Sequence, residues 1–186
     1  MISQLMNRLV LYNNPQLERQ LKNSIKLSEL SKDKIEIIEK LLELYQCRPK
    51  SEYFDMYDDE AIFEDPICNA SNKKELLVQF SMMPKVFPRS ETTQMNVLSV
   101  TDNELVLDLN QTYYLAPFYI PIPVRSQVRV LLNNKGKIIY HGDYWYHSTL
   151  FDKFHGLIGF TWSSFRRLNA VSLPYIAPLV IKLPKD

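Results

Sequence analysis

Glycine is scarce in this chain, with four in 186 residues, at positions 136, 142, 156 and 159. Neither a GxGxxG turn nor a P-loop can be assembled from them, so the phosphate-cradling loops are excluded and no cofactor is expected. Cys47 and Cys68 are the only cysteines, and they form no CxxC pair. That argues against a disulfide framework or a thiolate metal site and makes an intracellular, reducing compartment the expectation, cytoplasmic by default with the organelle open. His141, His147 and His155 show no HExxH or equivalent spacing, so no metal is expected. Net charge is only +1, which gives no whole-chain field for nucleic acid, and none is expected as a partner. No apolar run reaches the roughly 18 residues of a membrane span. The start, MISQLMNRLVLYNN, is broken by Gln4, Asn7 and Arg8, a poor secretory signal that leaves a short targeting or surface helix open.

What is present suits one globular domain. Hydrophobic residues make up 46% and charged residues 23%, enough to bury a core without the charge excess of disorder. Residues 1–30 read as an N-terminal helical extension. Ser31 is placed to cap a helix in which Ile35, Ile38, Leu41, Leu42 and Tyr45 recur at helical spacing. Pro49 interrupts it, and a short helix over Glu52–Tyr57 follows. A further helix is expected from about Asn72 to Met83, stopped by Pro84 and Pro88. From Glu91 onward strands take over. One hairpin turns at Thr101-Asp102-Asn103, and a second joins Val124–Leu132 to Lys137–His147 across Asn133-Asn134-Lys135-Gly136. The piece from Pro117 to Pro123 reads as an extended connector or an edge.

The chain turns on Met56 to Pro66. Alternation along a strand puts Ala61, Phe63 and Asp65 on one face and Ile62 and Glu64 on the other. An aromatic ring followed by a carboxylate, just before a proline, suits an acid inside an apolar cavity. It also suits the plainer reading, an ordinary strand end whose acid caps the next turn.

Two segments resemble the nuclear-transport-factor-2-like (NTF2-like, SnoaL-like) superfamily. Met56–Pro66 is similar to its Y-x-D-D-A-x-x-E-D-P motif, and Gly136–Trp145 to its closing strand. The resemblance covers about residues 32–147 and implies an α+β, cone-shaped fold. In it a curved antiparallel sheet packs against about three helices, here with extra helical segments at both ends. The domain would span 31–147, with 148–186 forming a C-terminal helix and apolar tail. Against the family's ketosteroid isomerases, Asp65 falls on the general base. The position of their protonated acid falls on Val128, and that of the oxyanion tyrosine near Leu41, with Tyr45 one turn away. A base without oxyanion donors forfeits roughly 3–4 kcal/mol for each donor removed, which argues against that chemistry.

On the closing strand His141, Asp143 and Trp145 alternate onto one face, which the resemblance implies lines the pocket. His141 and Asp143, with Asp65 opposite, are the candidate proton-transfer groups; the plainer alternative is that His141 and Asp143 satisfy each other or the backbone. Candidate ligand-binding residues are Phe63, Val128, Trp145, Tyr45 and Tyr57. Tyr113, Tyr114, Phe118 and Tyr119 fit a pocket rim or plain strands, and Met82 and Met83 fit ligand packing or core. An apolar stripe through Phe151, Phe154, Leu157, Ile158, Trp162, Phe165 and Leu168, followed by Arg166 and Arg167, allows two placements. It packs on the domain's own sheet, or closes the cavity mouth or touches a membrane peripherally through 151–168, arginines toward headgroups.

The leading expectation is a domain binding a hydrophobic small molecule or lipid in its cone. A SnoaL-like isomerase, dehydratase or cyclase is the alternative, and a protein-interaction scaffold or homodimer the third.

Overall fold

The computed structural model describes residues 25–145 and 157–181, the side chains of 157–163 excepted. Its helices are α1 (Lys32–Tyr45), α2 (Lys73–Val86) and α3 (Leu157–Val180), with short 3-10 turns at Leu27–Glu29 and Ser51–Met56. Six strands, β1 (Tyr57–Glu64), β2 (Asn69–Ala70), β3 (Arg89–Val100), β4 (Glu104–Leu115), β5 (Ile120–Leu132) and β6 (Ile138–Trp145), form one sheet in the order β2-β1-β6-β5-β4-β3. The class is α+β. The sheet is mixed rather than antiparallel as expected, because β1 runs parallel to β6 while every other pair is antiparallel. Hydrophobic alternation fixes which face a strand buries and says nothing about the direction of its neighbour.

Helix α1 forms where the apolar period predicts and buries Ile37, Ile38, Leu41, Leu44 and Tyr45 against the sheet. Ser31 occupies the N-cap position without a capping hydrogen bond from its side chain. At α2 the cap is complete: Asn72 accepts from the Glu75 amide at 2.9 Å, and the Glu75 carboxylate accepts from the Ser71 amide at 3.0 Å. This helix does not stop at Pro84 but continues to Val86. Within the last turn a proline gives up only its own N–H bond, and Phe87 closes the end on the Met83 carbonyl.

Both readings of the proline-rich piece hold in part: residues 117–119 turn from β4 into β5, and residues 120–123 belong to the β5 strand. Pro121 and Pro123 pair with Tyr114 and Thr112 inside the β4–β5 ladder, after a cis Ala116–Pro117 bond. β6 reaches only to the register of Ser126, so residues 120–125 of β5 form an edge where a missing N–H costs nothing. The first hairpin turn and the Asn133–Gly136 turn lie where expected, with Gly136 at φ +73°.

Helix α3 packs on α2 and β2. Arg167 forms an ion pair with Glu75 and reaches the Asn69 carbonyl at 3.2 Å, while Arg166 reaches Glu64 at 3.4 Å and the Cys68 carbonyl at 3.3 Å. Both arginines thus face the domain rather than headgroups. Phe165, Leu168, Tyr175, Ile176 and Leu179 are exposed on the helix. The expected helices in residues 1–24, and the stripe positions Phe151 and Phe154, lie outside the described residues, as do His147 and His155. Among the described residues no helix is long and apolar enough to cross a membrane.

Candidate functional site

Between the sheet's inner face, the C-terminal end of α1 and one face of α2 lies a cavity of about 310 Å³. Tyr45 comes from α1, and Gln79, Phe80, Met83 and Phe87 from α2 and its end. Phe63 comes from β1, with Asp65 and Ile67 just beyond it. Tyr113, Ile122, Val124, Asp143 and Trp145 come from β4, β5 and β6. Six of these side chains are aromatic rings, and Asp65 and Asp143 are the only charged ones.

Tyr45 is held by its backbone. The last residue of a helix leaves its carbonyl unpaired, and here Ser90 Oγ and Gln111 Nε2 both donate to the Tyr45 oxygen at 2.9 Å. Gln111 also donates to Ser90 at 2.6 Å, tying α1 to β3 and β4.

Asp65 satisfies both sequence readings at once. Its Oδ1 accepts from the Ile67 and Cys68 amides at 2.8 and 2.6 Å, closing the turn after β1, and the same side chain lines the cavity. Burial, then the charge of Asp143, pushes its carboxyl up to about 7, against the pull of those two amides and of Arg166. Asp143 is 6% exposed, and burial raises it to about 6. Trp145 Nε1 donates to its Oδ2 at 3.1 Å, and the Ser126 and Tyr45 hydroxyls stand near enough to favour its ionised form. Its Oδ1 nonetheless has no hydrogen-bond partner among the described residues, and neither does Nε2 of Gln79.

His141 does not pair with Asp143, nor does it line the cavity. It is fully buried behind it, with Nε2 3.0 Å from the Tyr45 hydroxyl and Nδ1 2.9 Å from that of Tyr57. The rings of Phe63 and Phe80 pack on it at 5.0 and 6.2 Å. Burial drives its pKa down to about 3, so the imidazole is neutral, and one nitrogen donates while the other accepts. Its place is to orient Tyr45, whose ring does reach the cavity. Val128 and Tyr57 also fall short of the cavity wall. Val128 is buried in the core opposite Asp143, and Tyr57 starts β1, at the other end of the strand from Asp65. Phe63, Tyr45 and Trp145 do line it.

Of the α2 wall, the sequence candidates included only Met83, which does line the cavity. Gln79, Met83 and Phe87 recur every fourth residue and so share one helix face, a signal present in the sequence. Tyr114 faces away and reaches Glu91, and Phe118 and Tyr119 are exposed outside the cavity wall. Among the described residues no cluster of His, Cys, Asp and Glu could hold a metal.

The three perturbed groups set a pH dependence of stability. Asp65 and Asp143 bind protons more tightly folded than unfolded, so between about pH 4 and 6 the folded chain holds two protons that the unfolded chain has released. Their contribution to folding is present at low pH and lost as pH rises through 6 and 7. His141 acts in the opposite sense, because below its ordinary value of 6.5 only the unfolded chain takes up its proton. The net excess is one proton, worth on the order of 1 kcal/mol per pH unit. Urea midpoints should therefore fall as pH rises from 5 to 7, and the Asp65→Asn/Asp143→Asn variant should lose that fall. A wild-type midpoint that rises across the range would contradict the assignment.

No protein-family model matches the chain, and no curated protein matches it. Solved structures do. An NTF2-like protein from Anabaena variabilis superposes with TM-score 0.54 at 13% identity, covering 61% of this chain and 87% of that one. The fold is NTF2-like. A Mycobacterium tuberculosis protein superposes at TM-score 0.51 and 14% identity, over 62% of this chain and 92% of its own. So does a Bacillus subtilis protein provisionally named an isomerase, at TM-score 0.50 and 16% identity, over 62% and 89%. At such identities the likeness concerns the NTF2-like fold alone, which hosts many activities.

Proposed function

We propose that the cavity binds a hydrophobic small molecule or lipid, with Asp65 and Asp143 at its polar end. One observation carries this reading: a space of about 310 Å³, walled by aromatic and aliphatic side chains, is left unfilled where a folded core is normally close-packed. Its volume lies at the lower end of the roughly 300–1,000 Å³ of small-molecule sites, which suits a compact ligand. Native mass spectrometry of the purified protein should show a copurifying apolar molecule, or uptake of one after delipidation. Met83→Trp, which fills the α2 side of the cavity, should abolish it. Absence of any bound mass in the wild type under both conditions overturns the reading.

A second reading is favoured by the two carboxyl groups held at about 7 and about 6, values suited to moving protons near neutral pH. In an isomerase, dehydratase or cyclase acting on a carbonyl-containing substrate, Asp65 and Asp143 would carry the proton. His141 would serve as a positioning residue through Tyr45. Asp65→Asn and Asp143→Asn should then each abolish turnover while leaving binding roughly intact, and unchanged rates in both remove this reading.

A further inference from the structure

We infer that the cavity selects an amine: a compact apolar body carrying one ammonium group, which docks between Asp65 and Asp143. This rests on the binding reading above and names the chemistry of its ligand.

Four observations lead there. The described residues lining the cavity include two carboxylates and no lysine or arginine. The cation nearest in effect, Arg166, is engaged by Glu64 and the Cys68 carbonyl outside the cavity wall. Asp143 is 6% exposed and its Oδ1 lacks a hydrogen-bond partner among the described residues, so that carboxylate is short of a donor. A bound N–H supplies it. Finally, the space next to the acids is walled by Phe63, Phe80, Tyr113 and Trp145, whose ring faces attract a cation as readily as they pack a hydrocarbon chain.

Charge decides between candidate heads. The charge of Asp143 raises the affinity of Asp65 for a proton, and both acids can ionise once a positive group sits between them, whereas a carboxylate head would add a third negative charge to an apolar enclosure. A neutral hydroxyl could meet the open oxygen of Asp143 but would leave the acid pair's mutual repulsion in place. An ammonium satisfies both requirements with one group, and its remaining N–H bonds can reach Asp65.

The test is calorimetric titration at pH 7.5 with three matched probes, 3-phenylpropylamine, 3-phenylpropanol and 3-phenylpropanoate. The amine should bind about 10–100-fold more tightly than the alcohol, as expected for a hydrogen bond to a charged partner, and the carboxylate should not bind. Asp143→Asn should bring the amine to the level of the alcohol, and Asp65→Asn should reduce the preference in the same direction. Equal or tighter binding of the alcohol in the wild type, or binding of the carboxylate, overturns the amine and keeps the cavity as a binding site. If none of the three probes binds, both the amine and the binding reading fall.

Discussion

Replacing His141 with leucine should lower the unfolding free energy by about 3–5 kcal/mol, seen as a drop in the urea midpoint. The imidazole is fully buried, and its two nitrogens are the partners of the Tyr45 and Tyr57 hydroxyls. Taking it away removes the imidazole partner of two buried O–H groups, each at a cost of up to about 1–3 kcal/mol, and it loosens contacts with Phe63 and Phe80. The penalty comes from orphaned partners more than from the lost bonds. Adding Tyr45→Phe and Tyr57→Phe to His141→Leu should therefore recover much of the stability, since an all-apolar cluster of similar shape has nothing left unpaired. A loss below about 1 kcal/mol for His141→Leu alone would mean that the imidazole is not enclosed by the two tyrosines.

Asp108→Ala, or Arg125→Met, should each destabilise the fold by about 3–5 kcal/mol. The two side chains join β4 to β5 through bonds of 3.1 and 3.2 Å, at 0% and 5% exposure. Each single change removes one member of a buried charge pair, and the desolvation of the charge that remains, more than the lost attraction, sets the cost. The double variant Asp108→Leu/Arg125→Met should lie closer to wild type than either single one. Single variants within about 0.5 kcal/mol of wild type would show the pair to be solvated. By contrast, the exposed Lys50–Glu52 pair should be nearly silent on removal.

Period-two alternation made part of this site legible in the sequence. It placed Phe63 with Asp65, and Asp143 with Trp145, and these four line one cavity. It also put His141 on the inner face, correctly for the backbone, but could not say what the ring would meet. Its partners are 96 and 84 residues away in the chain, and only the closed sheet brings Tyr45 and Tyr57 to either side of it. Val128 was carried into the list of site residues by resemblance, yet its strand turns it into the core at that level. Met83 was weighed as ligand packing or core, but Gln79 and Phe87, on the same face of α2 at helical spacing, were overlooked, because a mixed polar and apolar helix face looks the same against a core as against a cavity. Arg166 and Arg167 offered positive charge beside an apolar stripe. Only their contacts with Glu64 and Glu75, about a hundred residues earlier, show that they fasten α3 to the domain. The direction of β1 was likewise unreadable, since the same alternation serves a parallel and an antiparallel neighbour.

The site is defined by two acids enclosed in one largely apolar space. Carboxyl carbon NMR titration, with Asp65 and Asp143 assigned through their Asn variants, measures that directly. The expected result is titration near 7 for Asp65 and near 6 for Asp143, with the Asp65 value falling when Asp143 becomes asparagine. Ordinary values near 3.8 for both, independent of each other, would place them in water and contradict the enclosed site.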